Sequence, residues 1–232
     1  EMLRSLVGSE MCIRDRAETD EIDICSVNAA ADILGRPLAQ IQLLSGAHAL
    51  GTTFRAGKTP FYRTEHIEAL SHAPKRSKED ILELGRDGAI PGAAILVVRQ
   101  KDLSPVDATG DPSGRRWYGF DRRLDLSEDP AERQAQDDAS RMWWPIAPGY
   151  RDLINRCAAE GRALPMLISV GGLIVSSREI TGLSHELSSK NHRGRWAMDV
   201  RPSGDWARPL IDTWLNSGPG KSSLWWRFEP TN

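Results

Sequence analysis

The sequence predicts an α+β protein: a small helical module with a hairpin, then a mixed α+β domain with a mainly antiparallel sheet. Three observations carry this. Strand-like runs cluster in the second half instead of alternating with helices, which argues against a doubly wound parallel sheet. All eight Trp lie between Trp117 and Trp226, so the aromatic content divides the chain in two. The first half holds only Phe54, Phe61 and Tyr62 among its aromatics, and its short apolar repeats have helical spacing.

The elements follow in order. Ser26 suits a helix N-cap, and Val27, Ala30, Ala31 and Leu34 then recur at helical spacing up to Gly35. Pro37 suits the first turn of a second helix with Leu38, Ile41, Leu43 and Leu44 apolar, ended by Gly46. Thr52–Arg55 and Phe61–Arg63 read as short strands around the turn Ala56-Gly57-Lys58. Thr64 is expected to cap a third helix with Ile67 and Leu70 inward, and Ala73–Ser77 reads as a linker. A linker helix follows within 77–92.

Ala93–Arg99 is an apolar run of buried-strand length. Residues 102–115 read as a loop and Trp117–Phe120 as a short strand. Helices are expected over Pro130–Arg141 and Tyr150–Glu160. Met166–Ser177 is the clearest hairpin, with Gly171-Gly172 at its turn. Arg195–Arg201 alternates like a strand, Pro209–Ser217 is expected to be an amphipathic helix, and Leu224–Phe228 closes as a strand. These readings divide the chain into residues 17–76, the linker helix 77–92 and a Trp-rich domain 93–232.

Composition narrows the function classes. With 40% apolar and 27% charged residues over 232 positions, the chain reads as globular, not as collagen or a disordered tail. Charges nearly cancel, with 30 Lys plus Arg against 32 Asp plus Glu and a net charge of −2. No run of about eighteen apolar residues exists, and no membrane partner is expected. The three cysteines, Cys12, Cys25 and Cys157, are far apart and form no CxxC, which fits reduced thiols and a cytoplasmic location.

Residues 26–72 bring helix, glycine turn, helix, two-strand wing and helix in one order. The text SVNAAADILGRPLAQIQLLSGAH followed by FRAGKTPFYRTEHIEALS resembles the excisionase-like and MerR-like winged helix-turn-helix families. The resemblance implies a second helix that enters a major groove of double-stranded DNA and a wing beside the phosphate backbone. On this chain Arg36, Gln40 and Gln42 would then meet the groove, since Gln bonds adenine bidentately. Arg55, Lys58 and Arg63 would meet phosphates. Residues 24–76 carry six Lys and Arg against three acids, a local excess of +3. The family usually places a cation inside the recognition helix, and this chain has only Arg36 before it.

Ser5–Arg16, SLVGSEMCIRDR, resembles the translated sequencing-adapter read-through that recurs in proteins from environmental assemblies. That resemblance implies that residues 1–16 are a non-native tail and that the native sequence starts near Ala17.

The Trp-rich domain carries thirteen Arg among the fifteen basic residues from 117 onward, and Arg stacks on aromatic faces. Trp117, Trp143, Trp144, Trp196, Trp225 and Trp226 are therefore candidates for a pocket that stacks a planar group, against the alternative that they fill the core. Neighbours on a strand point to opposite faces, so Trp225 and Trp226 cannot both line one core. The order of elements, with GGLIVSSREITGL followed by RGRWAMDVR, is faintly similar to PUA-like and EVE-type modules, which implies a base-binding pocket by architecture alone.

No catalytic residue, metal ligand or cofactor is assigned. SGPGKSS is not a P-loop, because Leu215 stands where GxxxxGK[ST] needs glycine, and a helix is expected before it in place of a strand. His185 and His192 lack metal-ligand spacing, and no Ser sits in a nucleophile elbow. The sequence thus points to a DNA-binding regulator or excisionase-like factor with a ligand-sensing or assembly domain, acting as a homodimer. The alternative is a nucleotide or modified-base reader. An enzyme would need dispersed acids that only the fold could gather.

Overall fold

The computed structural model describes residues 23–51, 53–106, 111, 113, 115–185, 194–216 and 222–228. The expected tail 1–16, Thr52, His192 and most of the SGPGKSS segment lie outside these residues.

The chain opens with β1 (Ile24–Ser26), α1 (Val27–Leu34) and α2 (Leu38–Gly46). Ser26 caps α1 as expected, its hydroxyl accepting from the Ala29 N–H at 3.3 Å. Gly35 ends α1 in the left-handed region, with φ 59° and ψ 39°, and satisfies its terminal carbonyls. β2 (Thr53–Ala56) and β3 (Thr59–Arg63) form the expected hairpin, and β1 joins β3 as a third strand that periodicity did not announce. α3 (Thr64–Ser71) follows without a side-chain cap: Arg63 holds the N-cap position in place of Thr64.

β4 (Lys75–Ser77) corrects the linker reading of Ala73–Ser77. It pairs in parallel with β11 (Trp214–Asn216) at the edge of the main sheet. Three polar residues have no period to read; the pairing comes from a partner about 140 residues away. α4 (Lys78–Arg86) is the helix expected within 77–92, and a capping box between Ser77 and Asp80 starts it.

Between them run β5 (Ala94–Gln100), β6 (Ser104–Pro105), β7 (Trp117–Tyr118), α5 (Arg122–Asp125), α6 (Pro130–Arg141) and α7 (Pro148–Ala159). β8 (Leu164–Val170), β9 (Leu173–Leu183), β10 (Met198–Pro202), a 3₁₀ helix (Asp205–Leu210) and β12 (Ser223–Arg227) complete the described elements. Pro209–Ser217 is not a helix: the 3₁₀ turn ends at Leu210, Asp212 takes φ 60°, and the chain becomes β11. Pro209 has no N–H to continue a helix. Trp214 and Leu215 instead donate to the carbonyls of Pro74 and Gly172, at 2.8 and 2.7 Å.

The main sheet has the order β12-β5-β8-β9-β11-β4, with β10 on β9. Four of its six pairings are antiparallel (β12 with β5, and β9 with β8, β10 and β11), so the fold is mixed α+β with a mostly antiparallel sheet. The central pair β5–β8 is parallel and buried on both faces, which explains their uninterrupted apolar runs. Ala94, Leu96, Val98, Met166 and Ile168 share one cluster with Leu153 and Ile154 of α7 and Ile41, Leu44 and Ile67 of the N-terminal helices. Ile95, Val97 and Leu167 point to the other face, where Ile81 of α4 and Leu210 cover them. Trp225 and Trp226 divide the same way: Trp226 is buried in the second cluster and Trp225 packs on the first.

Candidate functional site: a cationic cleft between the first two helices and the sheet

The β8–β9 hairpin turns at Gly171 and Gly172, with φ 53° and 82°, values that suit glycine. The absence of side chains there lets α2 come close. A Cβ on Gly171 would lie 3.1 Å from the Gln40 carbonyl oxygen and from Gln40 Cγ, and 3.2 Å from Leu44 Cγ. The Gln40 side-chain amide donates to the Gly171 carbonyl. α2 is thus docked on the hairpin turn through its buried Leu44 and half-buried Gln40.

Beside this contact lies a cleft of about 790 Å³. Leu34, Gly35, Arg36, Gln40 and Leu43 form one wall. The ends of the central strands form another, with Arg99 and Gln100 from β5 and Ser169 from β8. Lys75 of β4 and Trp214, Leu215 and Asn216 of β11 close it. The described lining thus includes three cations, Arg36, Lys75 and Arg99, and no carboxylate. Gln100 and Ser169 are buried, at 9% and 2% exposure, so neutral polar groups stand at the base and charge at the rim.

Trp214 organises this wall. It is 2% exposed, and its indole N–H donates to the Leu70 carbonyl at 2.7 Å, tying the end of α3 to the sheet. The Arg36 guanidinium lies 4.3 Å from its ring centroid. A cation stacked on an indole keeps its charge and its remaining N–H donors, but gives up conformers that a free side chain would sample.

Of the residues expected to face DNA, Arg36 and Gln40 therefore lie at the cleft, Gln40 half-buried. Gln42 is exposed on α2, and Arg55, Lys58 and Arg63 are exposed on β2, its turn and β3. The six Trp offered for a pocket do not line this cleft. Trp144 is buried, with its N–H on the Ser140 carbonyl, and Trp226 is core. Trp225 stacks on Tyr150 at 4.7 Å, and Arg151 covers Trp196 at 4.8 Å. Trp143 donates to Asp111, and Trp117 is half-buried in β7. The Trp at the cleft is Trp214, which the helix reading of 209–217 had placed on an amphipathic face. Nor does the sequence pattern single out Lys75 or Arg99. A pattern of three scattered cations around a Gly-Gly turn has no period.

Several charged groups away from the cleft are paired. Arg178, 8% exposed, donates to Asp137 at 2.6 Å, to Asp125 and to the Ser176 hydroxyl at 2.9 Å, linking β9 to α5 and α6. His48 Nδ1 lies 3.3 Å from Asp121, which Arg123 also engages at 2.8 Å. Burial depresses the His48 imidazole below the ordinary range and outweighs the attraction of Asp121. Burial likewise depresses His66. Burial raises the Asp121 carboxyl, but hydrogen bonds from Arg123 and the nearby charges of His48 and Arg123 bring it below the usual range. Among the described residues no group of three or more His, Cys, Asp and Glu is placed to hold a metal ion, and no helix is long and apolar enough to cross a membrane. No protein-family model matches the chain, and no curated protein or solved structure matches it.

Proposed function

We propose that the chain is a DNA-binding protein, a transcriptional regulator or excisionase-like factor whose sheet domain senses a ligand or mediates assembly. One observation supports this best. The order helix, left-handed glycine turn, helix, hairpin, helix is accompanied by three exposed cations, Arg55, Lys58 and Arg63, on the hairpin. A hairpin of this kind beside a helix pair places cations against a phosphate backbone. Exposed Gln42 supplies an amide for a base edge. Homodimerisation would add a second half-site and raise affinity.

The test is fluorescence anisotropy of the full chain on mixed duplexes at several salt concentrations. With about three hairpin phosphate contacts per protomer, the slope of log affinity against log salt is expected near −3. Arg55→Ala with Lys58→Ala should flatten it by about 2. Absence of duplex binding at micromolar protein and low salt would refute the reading.

A further inference from the structure

We propose that the cleft between α2 and the β8–β9 turn binds a phosphorylated small molecule of nucleotide size, the ligand that the sheet domain senses. This deepens the ligand-sensing half of the reading above and rests on it only there; the cleft's own chemistry stands without DNA.

Three properties of the cleft point to this class. Its volume of about 790 Å³ falls within the roughly 300–1,000 Å³ usual for small-ligand sites. Arg36 and Lys75 bring positive charge to two sides of it and no carboxylate is among the described lining, so an anionic ligand is favoured over a neutral or cationic one. Ser169 adds a hydroxyl and exposed Asn216 an amide to the lining, Gln100 keeps its amide oxygen while its N–H donates to the Ser140 carbonyl at 3.5 Å, and Leu43 and Leu215 offer apolar surface. A lining that mixes cations, neutral polar groups and apolar surface suits a phosphate joined to a polar sugar and a planar base.

The site is also built, not incidental. Arg36 is fixed over Trp214, and Trp214 is fixed by its bond to Leu70. An arginine held in this way meets a phosphate with less ordering left to do. Lys75 sits on β4, which the parallel pairing with β11 holds beside the same Trp.

The experiment is isothermal titration calorimetry of the full chain with AMP, inorganic pyrophosphate and adenosine. AMP and pyrophosphate should bind one per chain, and adenosine at least about tenfold more weakly than AMP, as loss of a charge-assisted contact requires. Lys75→Glu should weaken AMP by more than tenfold. Lys75 is exposed on an edge strand, and circular dichroism checks that the variant is folded. Arg36→Ala should weaken AMP in the same direction.

Failure of AMP and pyrophosphate to bind at millimolar concentration would overturn the proposal. So would equal binding of adenosine, or AMP affinity unmoved by Lys75→Glu. Arg55→Ala with Lys58→Ala separates the two readings: duplex binding falls while AMP binding is retained. If that variant weakens AMP, or if Lys75→Glu weakens duplex DNA and leaves AMP untouched, the cleft is not the small-ligand site.

Discussion

Docking of α2 on the hairpin turn can be tested by adding one methyl group. Gly171→Ala forces an L-residue into φ 53° and drives its Cβ to 3.1 Å from the Gln40 carbonyl oxygen, a backbone atom, and to 3.2 Å from Leu44 Cγ. The left-handed backbone alone costs about 1–2 kcal/mol. Overpacking against an immobile neighbour adds about 1–3 kcal/mol. The sum is about 2–5 kcal/mol, a large share of the stability of an ordinary domain. Gly35→Ala is the matched control: φ 59° and ψ 39° also place it in the left-handed region, but nothing lies within 4 Å of its new Cβ. Its cost should be the backbone part alone, about 1–2 kcal/mol. The assay is urea unfolding followed by far-ultraviolet circular dichroism, with equal slopes required for the comparison. Gly171→Ala should lower the midpoint clearly more than Gly35→Ala. Equal midpoints would refute the docking, because both variants carry the same backbone cost and differ only in what the methyl meets.

Further outcomes follow from the same contacts. Trp214→Phe removes the donor to the Leu70 carbonyl and should destabilise the fold by about 1–3 kcal/mol in urea unfolding, since the acceptor is left buried. Arg178→Leu leaves Asp125 and Asp137 without their cation and should cost about 3–5 kcal/mol, whereas the simultaneous change of all three to apolar residues should recover much of it. His48 and His66 have pKa values depressed in the folded state, so the unfolded chain binds protons first on acidification. Their contribution is complete above the ordinary value of about 6.5 and is lost as pH falls toward the depressed values. Thermal midpoints should therefore fall between pH 7.5 and pH 5.5, and a double His48→Gln, His66→Gln variant should show a flatter profile; an identical profile would remove both imidazoles as the cause.

How much the residues announced depends on the range of the interaction. Ser26, Gly35 and the spacing of Ala30, Ala31 and Leu34 act within one helix, and α1 starts and stops where they predict. MLISV-GG-LIVSS predicts β8 and β9 because a two-residue glycine turn and its flanking strands are adjacent in the chain. The apolar run of β5 was legible as a buried strand, though not its parallel partner. Lys75–Ser77 and Trp214–Asn216 failed for the opposite reason. Each is three residues long and becomes a strand only through partners far away in sequence: β4 on β11, and β11 between β4 and β9.

The sequence by itself determined an α+β chain, the local helices and hairpins, the opposed faces of Trp225 and Trp226, and the exposed cations Arg55, Lys58 and Arg63. Those properties follow from period, capping and turn chemistry, which act over a few residues. Tertiary structure alone decided that α2 rests on Gly171, that Arg36 lies over Trp214, and that Lys75 and Arg99 face the same cleft. These groups come from four separate elements and two turns, and no sequence interval encodes their distance. Packing of the sheet edge against the first two helices brings them together, because the glycine turn leaves room for the approach.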